Sequence, residues 1–237
     1  MRFKKFRDFL CLFHVVLCAI VFNQQSFAGT WADAFEDDNT HGWEIINNNK
    51  NAKWWIDGGE AVCETFAPNT PSTLATGEVD WRNYSFSCKA KLDKAKGESA
   101  TFGIILHHRW EEFSFYALRI LHPSGIVHII KYNPGKASIL DEFDFPAKLD
   151  TWYTLIASID NRGKIKFKID DVVFTTVDAD SIKNGKAGLV VSNAQARFDD
   201  VEITGDNVPN GGPGTLPVEP SSKLAITWGD LKDTQQE

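Results

Sequence analysis

The alternation of apolar and polar side chains with a period of two limits what this chain can fold into. Between Tyr84 and Leu92 every second residue is apolar, and the residues between them are serine or lysine. The same pattern continues from Lys164 to Ile169. Such alternation is typical of antiparallel strands with one buried and one exposed face. The sequence predicts twelve or more of these strands. That is too many for one open sheet, so we expect an all-β domain of two packed sheets or a closed barrel.

The first 28 residues have the organisation of an export signal. Four basic residues precede an apolar run from Phe9 to Phe22, and Ser26 and Ala28 occupy the small-residue positions before a cleavage site. The apolar run is about 14 residues long, whereas a membrane-spanning helix needs roughly 20. We therefore predict a signal peptide over residues 1–28 and a mature protein that is secreted, in the periplasm or outside the cell.

The predicted mature chain is strongly acidic. The whole chain has 25 Lys and Arg against 32 Asp and Glu, a formal net charge of −7. Residues 1–28 contain four of the basic residues and one of the acidic ones, so their removal leaves 21 against 31, a net charge of −10. Such a charge repels nucleic acid and anionic membrane surfaces, and we expect neither as a partner. No stretch after residue 28 is apolar enough to predict a membrane span.

The composition of the chain changes at Gly205. Residues 206–222 are rich in Pro, Gly and Ser, which is typical of an extended linker. The final segment, residues 223–237, contains the sequence KLAITWGDLK with an apolar side. It fits either an unstructured terminus or a tag that docks on a protein partner. The predicted organisation is therefore one β-domain over residues 29–205, a linker and a C-terminal tail.

Cys63 and Cys88 are the two cysteines of the predicted mature chain. In an oxidising compartment two cysteines can form a disulfide. Two free, buried thiols on neighbouring strands fit the pattern equally well. The distance between the two residues decides between these possibilities, and the sequence leaves both open.

Nine segments carry landmarks whose order and spacing are specific to one kind of sandwich. They are AFEDDNTHGW (34–43), WWIDGGEAV (54–62), DWRNYSFSCKAKL (80–92), FGIILHHR (102–109), FYALRI (115–120), DTWYTLIASID (150–160), IKFKIDD (165–171), KAGLVVSN (186–193) and ARFDDVEI (196–203). Together they resemble the concanavalin A-like superfamily, in the branch of the laminin G-like domains and the 3-keto-disaccharide hydrolase domain. The resemblance implies a two-sheet antiparallel jelly-roll sandwich with one concave face, where many members bind their ligands.

Three consecutive predicted strands, residues 101–109, 113–121 and 126–132, carry the candidate binding residues. Alternation gives each strand one aliphatic side and one side that mixes imidazole, guanidinium and aromatic groups. If the strands are neighbours, the mixed sides form one surface, and Trp110 adds an exposed ring at its rim. Aromatic rings match the apolar faces of sugars, and charged donors match their hydroxyls. An ordinary solvated sheet face is the alternative. The candidate ligand-binding residues are His107, Arg109, Trp110, Phe115, Arg119 and His128.

Acidic residues near both ends of the domain predict a calcium site. Glu36 and Asp37 follow the first strand, and Asp199 and Asp200 lie in the last one. In the sandwiches that this chain resembles, the first and last strands tend to pair, which would bring these carboxylates together. Ca²⁺ prefers such hard oxygen ligands. We expect a bound ion to be structural. The alternative is a solvated acidic loop in which Asp200 caps a turn.

The sequence favours binding over catalysis. The retaining glycosidases of the superfamily carry an E-x-D-x-E spacing on one strand, and the nearest acidic cluster, residues 141–144, has a different spacing. We therefore predict no catalytic residues and a carbohydrate-binding, lectin-like module. Two alternatives stay open. One is a glycan-processing enzyme similar to the 3-keto-disaccharide hydrolase domain, in which His107, Glu111, Arg119 and His128 are the residues to test. The other is a protein-binding adhesion domain.

Overall fold

The computed structural model describes residues 28–46, 51–66, 71–134 and 136–213. Within these ranges the chain forms fifteen β-strands, and no helix there is long and apolar enough to cross a membrane. Residues 1–27 of the predicted signal peptide and residues 214–237 lie outside the described residues. The strands are β1 (Ala28–Asp33), β2 (Trp43–Ile46), β3 (Lys53–Ile56), β4 (Ala61–Thr65), β5 (Ser72–Thr76), β6 (Arg82–Ala95), β7 (Ala100–Arg109), β8 (Ser114–His122), β9 (Ile126–Asn133), β10 (Lys136–Asp144), β11 (Trp152–Ile159), β12 (Lys164–Ile169), β13 (Val172–Val177), β14 (Lys186–Ser192) and β15 (Ala194–Asp206).

The strands form two antiparallel sheets, as predicted. The first sheet has eight strands in the order β13-β12-β11-β6-β15-β4-β3, with β1 pairing with the second half of β15. The second sheet has seven strands in the order β10-β9-β8-β7-β14-β5-β2. The first and last strands of the domain therefore pair, as the resemblance implied. The all-β, two-sheet antiparallel jelly-roll sandwich is confirmed.

The core lies between the two sheets and follows the period of two. In β6 the buried residues alternate from Tyr84 to Leu92, while the serines and lysines between them face outward. In β7 the residues Phe102, Ile104 and Leu106 are buried against them. Each side chain that is removed from water in this way contributes about 1.5–3 kcal/mol. Alternation thus fixes which residues remain on the two outer faces of the sandwich.

The beginning of the predicted linker packs along β1. The backbone N–H of Ala32 donates a hydrogen bond of 2.8 Å to the carbonyl oxygen of Gly211, and Gly211 N–H donates one of 3.0 Å to Thr30. Val208 is buried in the main core cluster. The described part of the predicted linker, residues 206–213, therefore forms contacts with the domain.

The two cysteines are free and buried, and they are not on neighbouring strands. Strand β15 separates them, because Cys63 pairs with Ala196, and Ala196 pairs on its other side with Leu92. Cys88 lies four residues before Leu92. Two strand spacings of about 4.8 Å and four residues of about 3.3 Å separate the cysteines by roughly 16 Å. Disulfide formation requires Cα atoms within about 7 Å, so the sandwich excludes a bond between them.

We expect both thiols to resist alkylation until the protein unfolds. Burial raises the pKa of Cys63 to about 12 and also raises the pKa of Cys88, and only the thiolate is a good nucleophile. The measurement is iodoacetamide labelling with and without denaturant, followed by mass spectrometry of the peptides that contain the two residues. Labelling of the native protein at the rate of a free thiol would contradict this arrangement, as would a disulfide-linked peptide pair.

Candidate functional site

Three neighbouring strands of the seven-stranded sheet bring three of the predicted binding residues, Phe115, Arg119 and His128, onto one face. Strands β7, β8 and β9 are adjacent, with β10 on the outside of β9. Their apolar sides face the core, so the other sides form the outer face of the sheet. Cross-strand pairing aligns Phe115 with Tyr132, and Arg119 with His128. His128 is in turn aligned with Glu142 on β10. Phe115, Arg119 and His128, three of the residues expected to share one surface, therefore lie on the same sheet face.

An aromatic cluster covers one end of this face. The rings of Phe115 and Tyr132 are stacked, with centroids 4.4 Å apart and an angle of 14° between their planes. Phe113 packs edge-on against Phe115 at 5.6 Å, and His108 lies 5.2 Å from the same ring. Trp110 stacks on His108 at 6.0 Å. We call these five residues, His108, Trp110, Phe113, Phe115 and Tyr132, the aromatic platform.

The platform stays open to solvent because of the turn between β7 and β8. The N–H of Phe113 donates a hydrogen bond of 3.0 Å to the carbonyl oxygen of Trp110, which closes the turn. Phe113 has a positive φ of 45°, which is an uncommon conformation for a bulky residue. Trp110 is 48% exposed and Phe113 47% exposed. Two large exposed rings on one turn mark this end of the sheet as a contact surface.

A charged row lies four residues further along the same strands, where Arg119 pairs with His128. The Nε2 atom of His128 is 2.7 Å from Oε2 of Glu142. Arg119, the neighbour of His128 on β8, forms no ion pair or side-chain hydrogen bond within the described residues, and its Nε atom is buried without a partner. A guanidinium group with unused donors is suited to a ligand that supplies hydroxyl or carboxylate oxygens. We call Arg119, His128 and Glu142 the charged row.

Small and aliphatic side chains form the floor between the platform and the charged row. Ile105, Ala117 and Val190 are each no more than 2% exposed and form their own cluster, against which Phe115 and Tyr132 pack. The platform therefore borders a floor of shorter side chains. A ligand lying along these strands would contact rings at one end and the charged row at the other.

Two predicted binding residues, His107 and Arg109, do not belong to this face. Between Leu106 and Arg109, β7 has one more residue than its partner β8, and the same extra residue appears opposite β14. This β-bulge, at which His107 has a φ of 52°, reverses the alternation for the end of the strand. His108 consequently takes the outward position that the sequence assigned to His107.

His107 and Arg109 instead form hydrogen bonds with the segment between β13 and β14. The Nδ1 atom of His107 donates a hydrogen bond of 2.7 Å to the carbonyl oxygen of Ile182, and Arg109 donates one of 2.7 Å to Asn184. Arg109 also forms an ion pair with Glu112. Burial lowers the pKa of His107 to about 4, so its ring is neutral at pH 7. His107 therefore has a structural contact where the sequence predicted ligand binding.

The predicted calcium ligands do not form a metal-binding group in the described part of the chain. Asp200 forms an ion pair of 2.6 Å with Lys89, and its backbone N–H donates to the Asp199 carboxylate. Asp33, which the sequence reasoning did not select, lies in β1 with its carboxylate accepting hydrogen bonds from Phe35 N–H and Trp43 Nε1. The calcium site at Glu36, Asp37, Asp199 and Asp200 stays a prediction.

Sequence reasoning missed four residues of the surface. Tyr132 lies four residues after His128, so alternation places both on one side of the strand, and Phe113 precedes β8 in the turn. Glu142 follows an irregularity in β10 between residues 139 and 141, which obscures its alternation. His108 was missed because a bulge has no clear sequence signal. Glu111, proposed for the hydrolase alternative, lies exposed in the turn after β7.

No protein-family model and no curated protein matches this chain. Solved structures do match its fold. The carbohydrate-binding module CBM66 from Bacillus subtilis superposes with a TM-score of 0.58 at 17% identity, over 68% of this chain and 94% of the module. A Bacillus licheniformis β-glucanase superposes with a TM-score of 0.55 at 12% identity, over 74% and 97%. An inactivated β-agarase B in complex with agaro-octaose gives 0.56 at 11% identity, over 76% and 94%. The chain has the concanavalin A-like sandwich fold.

Proposed function

We propose that this chain is an exported carbohydrate-binding protein that holds a glycan on the outer face of its seven-stranded sheet. The observation that carries the proposal is that the aromatic platform and the unpaired Arg119 share one sheet face, four residues apart along β8. Pyranose rings have apolar C–H faces that pack on aromatic rings, and hydroxyl groups that accept hydrogen bonds from fixed donors. The surface offers both features on one rigid sheet.

The fold neighbours support a carbohydrate ligand. They include a carbohydrate-binding module, a β-glucanase and an agarase that was solved with an agaro-oligosaccharide. Because one fold hosts many functions, the weight of the proposal rests on the residues of the face. Binding without catalysis is favoured because the E-x-D-x-E spacing of the retaining glycosidases is absent from the sequence.

A glycan-processing hydrolase is the second candidate, because one ionisable pair lies on the same face. His128 and Glu142 are 2.7 Å apart and next to Arg119, and such a pair can transfer protons. Incubation with 3-keto-glucosides tests this candidate. Release of sugar that is abolished by His128→Ala would favour catalysis over simple binding.

A glycan array tests the proposed binding. We expect the protein to bind a restricted set of glycans, and the double variant W110A/F115A to lose that binding. The control is W55A, which removes a Trp that is 37% exposed from the eight-stranded sheet. Full retention of binding by W110A/F115A, or the absence of any bound glycan, would refute the proposal.

A further inference from the structure

The outer face of the eight-stranded sheet carries a row of polar side chains across six strands, with five hydroxyl residues and one lysine. Strand pairing places Ser158 between Lys166 and Ser85. It also places Thr204 between Ser85 and Thr30. The Oγ1 atoms of Thr30 and Thr204 are 3.1 Å apart, so both emerge on the same face. Adjacent strands are about 4.8 Å apart, a repeat close to the length of one sugar unit in an extended polysaccharide. The row consists of Thr175, Lys166, Ser158, Ser85, Thr204 and Thr30.

Three lysines project from the same face along β12. Lys164 and Lys168 stand two residues to either side of Lys166, so alternation directs all three outward. Within the described part of the chain their side chains form no ion pair or hydrogen bond. The nearest acidic residues along the chain are Asp170, two residues after Lys168, and Asp160, four residues before Lys164. Asp170 Oδ1 accepts a hydrogen bond from the backbone N–H of Thr154, and Asp160 Oδ1 accepts hydrogen bonds from the backbone N–H groups of Arg162 and Lys164. This part of an acidic protein therefore has a local excess of positive charge.

A cleft joins the lysines to the hydroxyl row. It has a volume of about 410 Å³ and is lined by Lys164 and Lys166 on β12. Ser158 on β11, Ser85 on β6 and Thr204 on β15 add hydroxyl groups, and the remaining lining consists of Asn83, Tyr84, Ile159 and Asp160. The cleft thus offers ammonium groups at one side and hydroxyl groups across three further strands. An anionic group that entered it would find donors of both kinds.

We propose that this face is a second binding site, for a segment of an anionic polysaccharide. The carboxylate or sulfate groups of the chain would pair with the lysines of β12, and its hydroxyls would exchange hydrogen bonds with the serine and threonine row. The site is on the opposite sheet from the aromatic platform. It also differs in chemistry, because its lining has cations and hydroxyls where the platform has rings.

Affinity electrophoresis of the full chain in gels that contain a polysaccharide tests this site. The probes are polygalacturonate, which carries carboxylates, and dextran sulfate, which carries sulfates. Fully methyl-esterified polygalacturonate and dextran are their neutral counterparts. The test variant is K164A/K166A/K168A. The control variant removes the same charge at three exposed lysines elsewhere, K53A/K94A/K148A.

We expect at least one polyanion to bind, with about a tenfold loss of affinity in the test variant and less than about twofold in the control. Binding should weaken as salt is added. Retention of one polyanion alone identifies carboxylate or sulfate as the recognised group. Equal binding of a neutral counterpart, wild-type affinity in the test variant, or no binding of either polyanion would overturn the proposal.

The proposal for the aromatic platform and the proposal for the second site can be refuted independently. The variant W110A/F115A is expected to keep its polyanion binding, and K164A/K166A/K168A is expected to keep its glycan-array pattern. Loss of polyanion binding in W110A/F115A would place both ligands on the aromatic platform and remove the second site.

Discussion

Replacing Lys131 with Met is expected to lower the free energy of unfolding by about 3–5 kcal/mol. The Nζ atom of Lys131 is 2.7 Å from Oδ2 of Asp178, and the two side chains are only 9% and 10% exposed. Loss of the ammonium group would leave the Asp178 carboxylate buried without its counter-charge. Burial raises the pKa of Asp178, but hydrogen bonds from Lys131 and Tyr116 outweigh it and lower that pKa overall. Asp178 is therefore charged at pH 7 and depends on its partners.

The Lys131–Asp178 ion pair stabilises the segment that crosses from one sheet to the other. Tyr116 donates a hydrogen bond of 2.6 Å to Asp178 Oδ2 and accepts one of 2.9 Å from Ile182 N–H. Lys131 also donates to the carbonyl oxygen of Asp180. Residues 178–182 lie between β13 of the eight-stranded sheet and β14 of the seven-stranded sheet. The buried contacts thus join the crossover to β8 and β9 beneath the candidate binding face.

Urea unfolding followed by circular dichroism measures the effect. K166M is the control, because Lys166 is exposed and its side chain is unpaired within the described residues, and we expect a change below about 0.5 kcal/mol. The double variant K131M/D178N should recover part of the loss, because it removes both charges. A loss below about 1 kcal/mol for K131M would show that the pair does not hold the crossover.

Replacing Arg119 with Ala is expected to weaken glycan binding about 10- to 100-fold while leaving folding stability nearly unchanged. Arg119 has no hydrogen-bond or ion-pair partner among the described residues, so its removal breaks no internal polar interaction. In a complex it would donate charge-assisted hydrogen bonds, which contribute about 1.5–3 kcal/mol. Replacement by Lys should recover only part of the affinity, because an ammonium group lacks the planar donors of a guanidinium.

Isothermal titration calorimetry with a glycan selected on the array provides the affinities. R162A is the matched control, because Arg162 is an exposed arginine in the turn before β12, on the other sheet. Its affinity should stay within about twofold of the wild type. An unchanged affinity in R119A, together with a normal unfolding midpoint, would exclude the charged row from the binding site.

Strand positions and their faces were predictable because side-chain alternation has a strict period of two. The aliphatic sides of β7, β8 and β9 proved to be core, and Phe115, Arg119 and His128 share the other face, as the sequence predicted. One extra residue in β7 reverses the alternation of side chains at the end of that strand. His108 therefore lies on the face where alternation places His107. The residues directly next to the two histidines include no Gly or Pro that would mark the bulge.

Contacts that depend on sheet order were not predictable from the sequence. Cys63 and Cys88 lie in strands that alternate similarly, but β15 enters between them from the end of the domain. Glu142 reaches His128 because β10 pairs with β9 through an irregular register. In each case a residue distant in sequence decides the local chemistry, and alternation carries no information about such pairings.

A crystal structure with a bound oligosaccharide from the array will show which face binds carbohydrate. We predict a sugar ring stacked on Trp110 or Phe115, with Arg119 donating hydrogen bonds to its hydroxyls. A glycan bound at any other surface, with the aromatic platform left in contact with solvent, would contradict the proposed function.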